Sequence, residues 1–162
     1  MKIVAHHLQL EAHKRSASDE KDCFGRSAYN RYYYAAFLLA RSALRTIYGT
    51  QVKFNHAEVP QYLETTVLKD IQKFKADAKK VGDLDLKDQC ARSEHAAREL
   101  ARLLKSAYAV RTTADYEPEV RVVFEDAKRF TLNGLDITQA HEWPARVTTY
   151  SSQLVSVWQQ FK

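Results

Sequence analysis

Glycine and proline are scarce, with four and three residues among 162. That scarcity argues against a turn-rich β fold and for long helices. Cysteine is scarcer still: Cys23 and Cys90 are the only two, and they form no C-x-x-C pair. A disulfide framework or zinc ribbon is therefore unsupported, and both read as buried or half-buried packing residues in a reducing compartment. No apolar run approaches the roughly 18 residues that a membrane span needs. The histidine-interrupted stretch before Lys14 does not read as a secretory leader, so a cytoplasmic chain is expected. A glycine-rich phosphate loop, a G-x-S-x-G elbow and an HExxH pair are also missing, and no cofactor is expected.

What is present is an ordinary globular balance, 45% hydrophobic and 28% charged, long enough for one domain over 1–162. The net charge of +5 and pI near 9.2 are compatible with an RNA or DNA partner without identifying one.

Apolar spacing predicts the helices. Ile3 to Ser16 reads as a modest amphipathic helix, and Ser16 to Asp22 as a polar connection. From Arg26 to Tyr48, Tyr29, Tyr33, Ala36, Ala40, Ala43 and Ile47 share a face, and Gly49 supplies a C-cap. After a loop over Thr50–Ala57, Val59, Leu63, Val67, Ile71, Phe74, Ala78 and Val81 trace a third stripe, closed by Gly82 and Asp83. A fourth helix runs from Leu86 to Arg111, with Ala97, Leu100, Leu104 and Ala107 on its core side.

The stretch Val120–Leu132 scores either as a helix (Val120, Val123, Ala127, Phe130) or as strands Val120–Phe124 and Arg129–Leu132. Asn133-Gly134 tilts it toward a hairpin. A last helix starts at Pro144, with Val147, Tyr150, Leu154, Val157 and Phe161 in its stripe. The expected architecture is all-α: an antiparallel bundle of four to five helices, with a small irregular or hairpin insertion at 120–136 before the last helix.

Arg111 carries the most information among the charges, because it continues the core stripe of Leu100, Leu104 and Ala107. A guanidinium there must meet an acid, backbone carbonyls or an anionic ligand, unless it simply ends the helix facing solvent. Asp115 either caps the next segment or fixes Arg111. Asn30, Tyr34 and Arg41 flank the second helix, beside Arg31, and Asn30 and Tyr34 lie one turn apart and within reach of Arg111. The tyrosines at 29, 32, 33 and 34 read mainly as core aromatics, with base stacking as the sharper alternative. A zinc site at His6, His7 and His13 is not expected, and all six histidines read as surface residues, with no metal site.

The helix Ser27-Ala-Tyr-Asn-Arg-Tyr-Tyr-Tyr-Ala-Ala-Phe37, followed by a helix ending in Arg111-Thr-Thr-Ala-Asp-Tyr116, resembles a compact branch of the HEPN superfamily, which carries RxYYAxF-like helices. The resemblance covers about Cys23 to Pro118. It implies a helical homodimer in a toxin–antitoxin or phage-defence system, paired with a nucleotidyltransferase-type antitoxin. In that setting the protein would bind RNA or a nucleotide in an Arg111-lined cleft through Asn30, Arg31, Tyr34 and Arg41. It further implies metal-independent ribonuclease chemistry, with Arg111, Asp115 and Tyr116 as the catalytic group. Family members that cleave RNA carry a histidine four to six residues after the arginine; this chain has Tyr116 there. The alternative is a non-catalytic dimerisation or partner-binding module with a degenerate site.

Overall fold

A computed structural model describes residues 1–126 and 128–161. The chain is all-α apart from one small sheet. In order, it forms α1 (Lys2–Lys14), α2 (Ser18–Tyr48), α3 (Glu58–Tyr62), a π-helical turn (Leu63–Val67), α4 (Leu68–Lys80) and α5 (Leu84–Tyr116). Strands β1 (Val123–Phe124), β2 (Phe130–Leu132) and β3 (Leu135–Asp136) then precede α6 (Ile137–Gln159). No helix among the described residues is long and apolar enough to cross a membrane.

The chain divides into two compact units, one made of 1–37 with 106–145 and the other of 38–105 with 146–162. α2, α5 and α6 each contribute one stretch to each unit.

In the second unit the helices form a bundle. α5 runs antiparallel to the segment before it, since Lys105 meets Glu64 whereas Glu94 meets Lys75. The core takes Val59, Leu63, Val67, Ile71 and Ala78 from the third stripe and Ala97, Leu100 and Leu104 from α5. An aromatic seam closes one end: Tyr48 meets Trp158, Trp158 meets Phe74, and Phe74 stacks on Phe161 at 4.0 Å. Tyr48 also donates to Asp70 at 2.9 Å. Val81 leaves the expected stripe and is 79% exposed, because the helix stops at Lys80 and Gly82 turns the chain at positive φ. The π-helical turn has no counterpart in the spacing; the extra residue is absorbed while Leu63 and Val67 stay buried.

In the first unit α2 begins at Ser18, eight residues before the expected Arg26, and the polar connection shrinks to three residues. Asp19 and Glu20 in the first turn suit the helix dipole, which outweighs the cost of an internal Gly25. That glycine has a packing purpose: a Cβ there would lie 3.2 Å from both Val122 methyls and 3.4 Å from Phe130. The insertion thus seats directly on the α2 backbone.

The insertion is a three-stranded antiparallel meander, not a helix, and Ala127 of the helical alternative lies outside the described residues. Phe124 pairs with Phe130, and Leu132 with Leu135. Asn133 and Gly134, at φ 50° and 74°, make the tight turn between β2 and β3 that this dipeptide favours. The third strand was not expected. It leads straight into α6, which starts at Ile137 rather than Pro144. Asp136 caps it by accepting from the Thr138 backbone N–H at 2.7 Å, and Pro144 sits inside the helix. Cys90 is buried as expected, but Cys23 is exposed.

Candidate functional site

α5 continues through Tyr116, so Arg111 is not a helix-end residue and Asp115 is not a cap for the next segment. The extra turn places Asp115 one helical turn beyond Arg111, and the two form an ion pair at 2.7 Å with side chains 16% and 24% exposed. Asn30, from α2, donates through Nδ2 to the other Asp115 oxygen. The Arg111 guanidinium carbon lies 5.4 Å from the centre of the Tyr116 ring, within cation–π range. Burial works against the Arg111 charge. Asp115, then the Tyr116 and Tyr34 hydroxyls, more than offset it, and the guanidinium pKa is raised.

Two polar atoms in this group, Arg111 Nε and Asn30 Oδ1, are buried with no hydrogen-bond partner among the described residues. Native buried polar groups are normally paired, so the site carries unused donor and acceptor capacity next to an exposed aromatic ring. Asn30, Tyr34, Arg111, Asp115 and Tyr116 are thus brought together in one unit. Arg31 is exposed beside them without entering the ion-pair network, and Arg41 belongs to the other unit.

The tyrosine run divides by burial. Tyr29, Tyr32 and Tyr33 are at most 1% exposed, which excludes base stacking for these three rings. Burial raises all three phenol pKa values, so they stay neutral at physiological pH. Tyr29 donates to the Leu135 carbonyl at 2.6 Å and locks the sheet to α2. Tyr33 packs on Phe37 and Tyr108. Only Tyr34 remains half-buried and available to the Arg111 group.

Two features escaped the sequence reading. The first is Arg26, paired with Asp22 at 2.9 Å, both side chains 11% exposed. Its guanidinium donates to the backbone carbonyls of Thr113, Ala114, Glu117 and Val120, gathering the end of α5 and the chain leaving it. Asp22 also accepts from the Val122 N–H at 2.7 Å. Helix-end carbonyls satisfied by a side chain from another helix have no signature in sequence spacing.

The second is a polar knot at Tyr32. Its hydroxyl donates to Gln9 Oε1 at 2.7 Å, and His141 Nδ1 lies within hydrogen-bond distance at 2.8 Å, the direction of that bond being set by the ring tautomer. His6 meets the His141 ring edge-on at 5.1 Å. Burial, then Lys2 and His6, lower the His141 pKa against a smaller pull from Glu142. Half-burial of His13, His56 and His141 corrects the expectation that every histidine is a surface residue. No cluster of three or more His, Cys, Asp or Glu side chains among the described residues could hold a metal.

Compared with protein-family models, curated proteins and solved structures, the chain matches none.

Proposed function

We propose that the protein is a HEPN-type helical module that binds RNA through Arg111, acting as a homodimer in a toxin–antitoxin or phage-defence setting with a nucleotidyltransferase-type antitoxin as partner. What supports this reading is the unused Nε donor of an arginine already oriented by Asp115 and Asn30. A preoriented guanidinium suits a phosphodiester, whose oxygens accept two donors from one fork. The unpaired Asn30 carbonyl oxygen beside it suits a hydroxyl donor, which a ribose supplies. Tyr116 lies over the guanidinium and is 68% exposed, giving a ring on which a base can stack.

The test is RNA binding and growth arrest on induced expression, each compared with Arg111→Ala. Arg111→Ala weakens binding by about 1.5–3 kcal/mol, the range for a hydrogen bond to a charged group, and relieves any arrest. Arg111→Lys restores only part, since lysine keeps the charge without the fork. Tyr116→His supplies a group that titrates near neutrality and raises cleavage of bound RNA. Unchanged binding in all three variants sinks the proposal.

One observation favours a second reading, a non-catalytic partner-binding module. Asp115 neutralises Arg111, so an incoming phosphate must share or displace a carboxylate at 2.7 Å. Asp115→Asn separates the two: it tightens RNA binding if Arg111 meets phosphate, and leaves it unchanged if Asp115 serves only to tie α5 to Asn30 of α2.

A further inference from the structure

The second unit carries its own concentration of positive charge. α4, with the sequence LKDIQKFKADAKK, holds five lysines against two aspartates. One of those aspartates, Asp70, is turned to the Tyr48 hydroxyl. Between α4 and the first half of α5 lies a groove of about 390 Å3 lined by Gln72, Lys75, Ala76, Lys79, Lys87 and Glu94. Lys75 and Lys79 are one helical turn apart, so both face the same space, and Lys87 joins them from α5. Three ammonium groups therefore face one carboxylate. Glu94 is already engaged by Lys75 at 3.3 Å and approached by Arg98 at 4.0 Å. Among the described residues neither Lys79 nor Lys87 has an acidic side chain within ion-pair distance.

Like charges lining one groove repel unless an anion lies between them, and lysine ammonium groups serve phosphate as movable point charges. The lining contains no aromatic ring and no arginine fork, so the groove has nothing with which to stack a base or read its edge. Recognition there is limited to charge along a chain of phosphates. Lys69 and Lys73 are also exposed, on the adjoining flank of α4.

We propose that the α4–α5 groove binds the phosphodiester backbone of nucleic acid, independently of base sequence and of Arg111. It does not rest on the Arg111 reading, because every residue in it belongs to the other unit.

The probe is a fluorescent 20-nucleotide single-stranded RNA, titrated with the full chain at low and at physiological salt. The combined variant Lys75→Ala, Lys79→Ala, Lys87→Ala loses about tenfold or more in affinity at low salt. Its log–log salt dependence flattens by about 2, since each lost phosphate contact removes about 0.7 from the slope for a single strand. A charge-matched control, Lys2→Ala, Lys53→Ala, Lys128→Ala, removes three exposed lysines elsewhere and changes affinity several-fold less. Glu94→Gln tightens binding, a gain that misfolding cannot imitate.

Equal losses in the two triple variants would show bulk charge alone and overturn the groove. So would an unchanged affinity in Glu94→Gln together with the groove triple. Arg111→Ala run in parallel keeps the two sites apart. Loss of binding in Arg111→Ala but not in the groove triple rejects the groove and leaves the Arg111 reading standing; the opposite pattern does the reverse.

Discussion

Arg26 and Arg111 are matched arginines put to different use, in pairs of opposite order: Asp22 precedes Arg26 and Asp115 follows Arg111. Each is a largely buried arginine in an i,i+4 ion pair with an aspartate, Asp22 in one case and Asp115 in the other. Arg26 spends its donors on five acceptors, four of them backbone carbonyls at the end of α5. Arg111 has one acid and two neighbouring phenols, and its Nε has no acceptor among the described residues. A fully satisfied guanidinium is part of the scaffold, because any ligand would have to compete with backbone carbonyls. An incompletely satisfied one has capacity left for a ligand. Charge, residue type and sequence spacing are alike in the two pairs, so hydrogen-bond accounting is what tells them apart.

The largest expected effect follows from the scaffold side. Arg26→Ala strips Asp22 of its buried partner and takes a donor from four carbonyls, of which Thr113 and Glu117 keep a backbone N–H, so it costs about 3–5 kcal/mol of stability, the range for breaking a buried pair. Urea unfolding measures it, and a loss below about 1 kcal/mol would put Arg26 on the same footing as a surface arginine. Gly25→Ala probes the same junction. The new methyl meets Val122 at 3.2 Å, and overpacking of this kind costs about 1–3 kcal/mol, more than the gain in helix propensity of about 1. A stabilised Gly25→Ala protein would mean the insertion yields freely.

Arg111→Ala should sit well below Arg26→Ala, at about 1 kcal/mol or less, since its pair is partly open to solvent. If its cost in stability instead equals that of Arg26→Ala, the contrast between scaffold and site collapses.

The smallest effect concerns pH. Burial lowers the His141 pKa below its ordinary value of 6.5, so folding favours the neutral ring. The stability this contributes is full above 6.5 and is lost as pH falls from there toward the folded value, where the unfolded chain takes up the proton first. Lys2 and His6 add to the lowering, Glu142 opposes it, and the Tyr32 hydroxyl lies 2.8 Å from the ring Nδ1. A melting temperature that drops between pH 7 and 5 in the parent, and less so in His141→Gln, is the expected pattern. A parallel drop in both would assign the pH dependence to other groups. Asp126 is not among them in this window, because its bond from Arg129 and the backbone N–H of Lys128 hold its pKa to about 2.

Much of the helical layout was legible from spacing. The stripes Val59–Leu63–Val67–Ile71 and Leu100–Leu104–Ala107 are buried as their period implies, and Gly49 at φ 95° ends α2. Boundaries failed where a local preference was overridden by tertiary contact. The second helix was expected to start at Arg26, but it starts at Ser18 and passes through Gly25, whose missing side chain admits Val122. Asn133-Gly134 was read as a turn signal, but the strand it leads to is two residues long and too short to carry a pattern of its own.

The candidate site was legible in its parts. The four-residue interval from Arg111 to Asp115 and the flank shared by Asn30 and Tyr34 both follow from helical geometry. Whether Asp115 capped or paired could not be read, because that depended on where α5 stopped. It stops at Tyr116 in a turn whose carbonyls are held by Arg26, a residue 87 positions from the nearest of them.

Periodicity was therefore enough to make this chain helical and to choose the buried faces, since burying apolar surface is non-directional and tolerates small errors of register. The use of each charge was settled by folding. Hydrogen bonds are directional and short, and their partners here come from segments far apart in the chain. Neither residue type nor the four-residue spacing distinguishes an arginine that closes a helix end from one that keeps a donor in reserve.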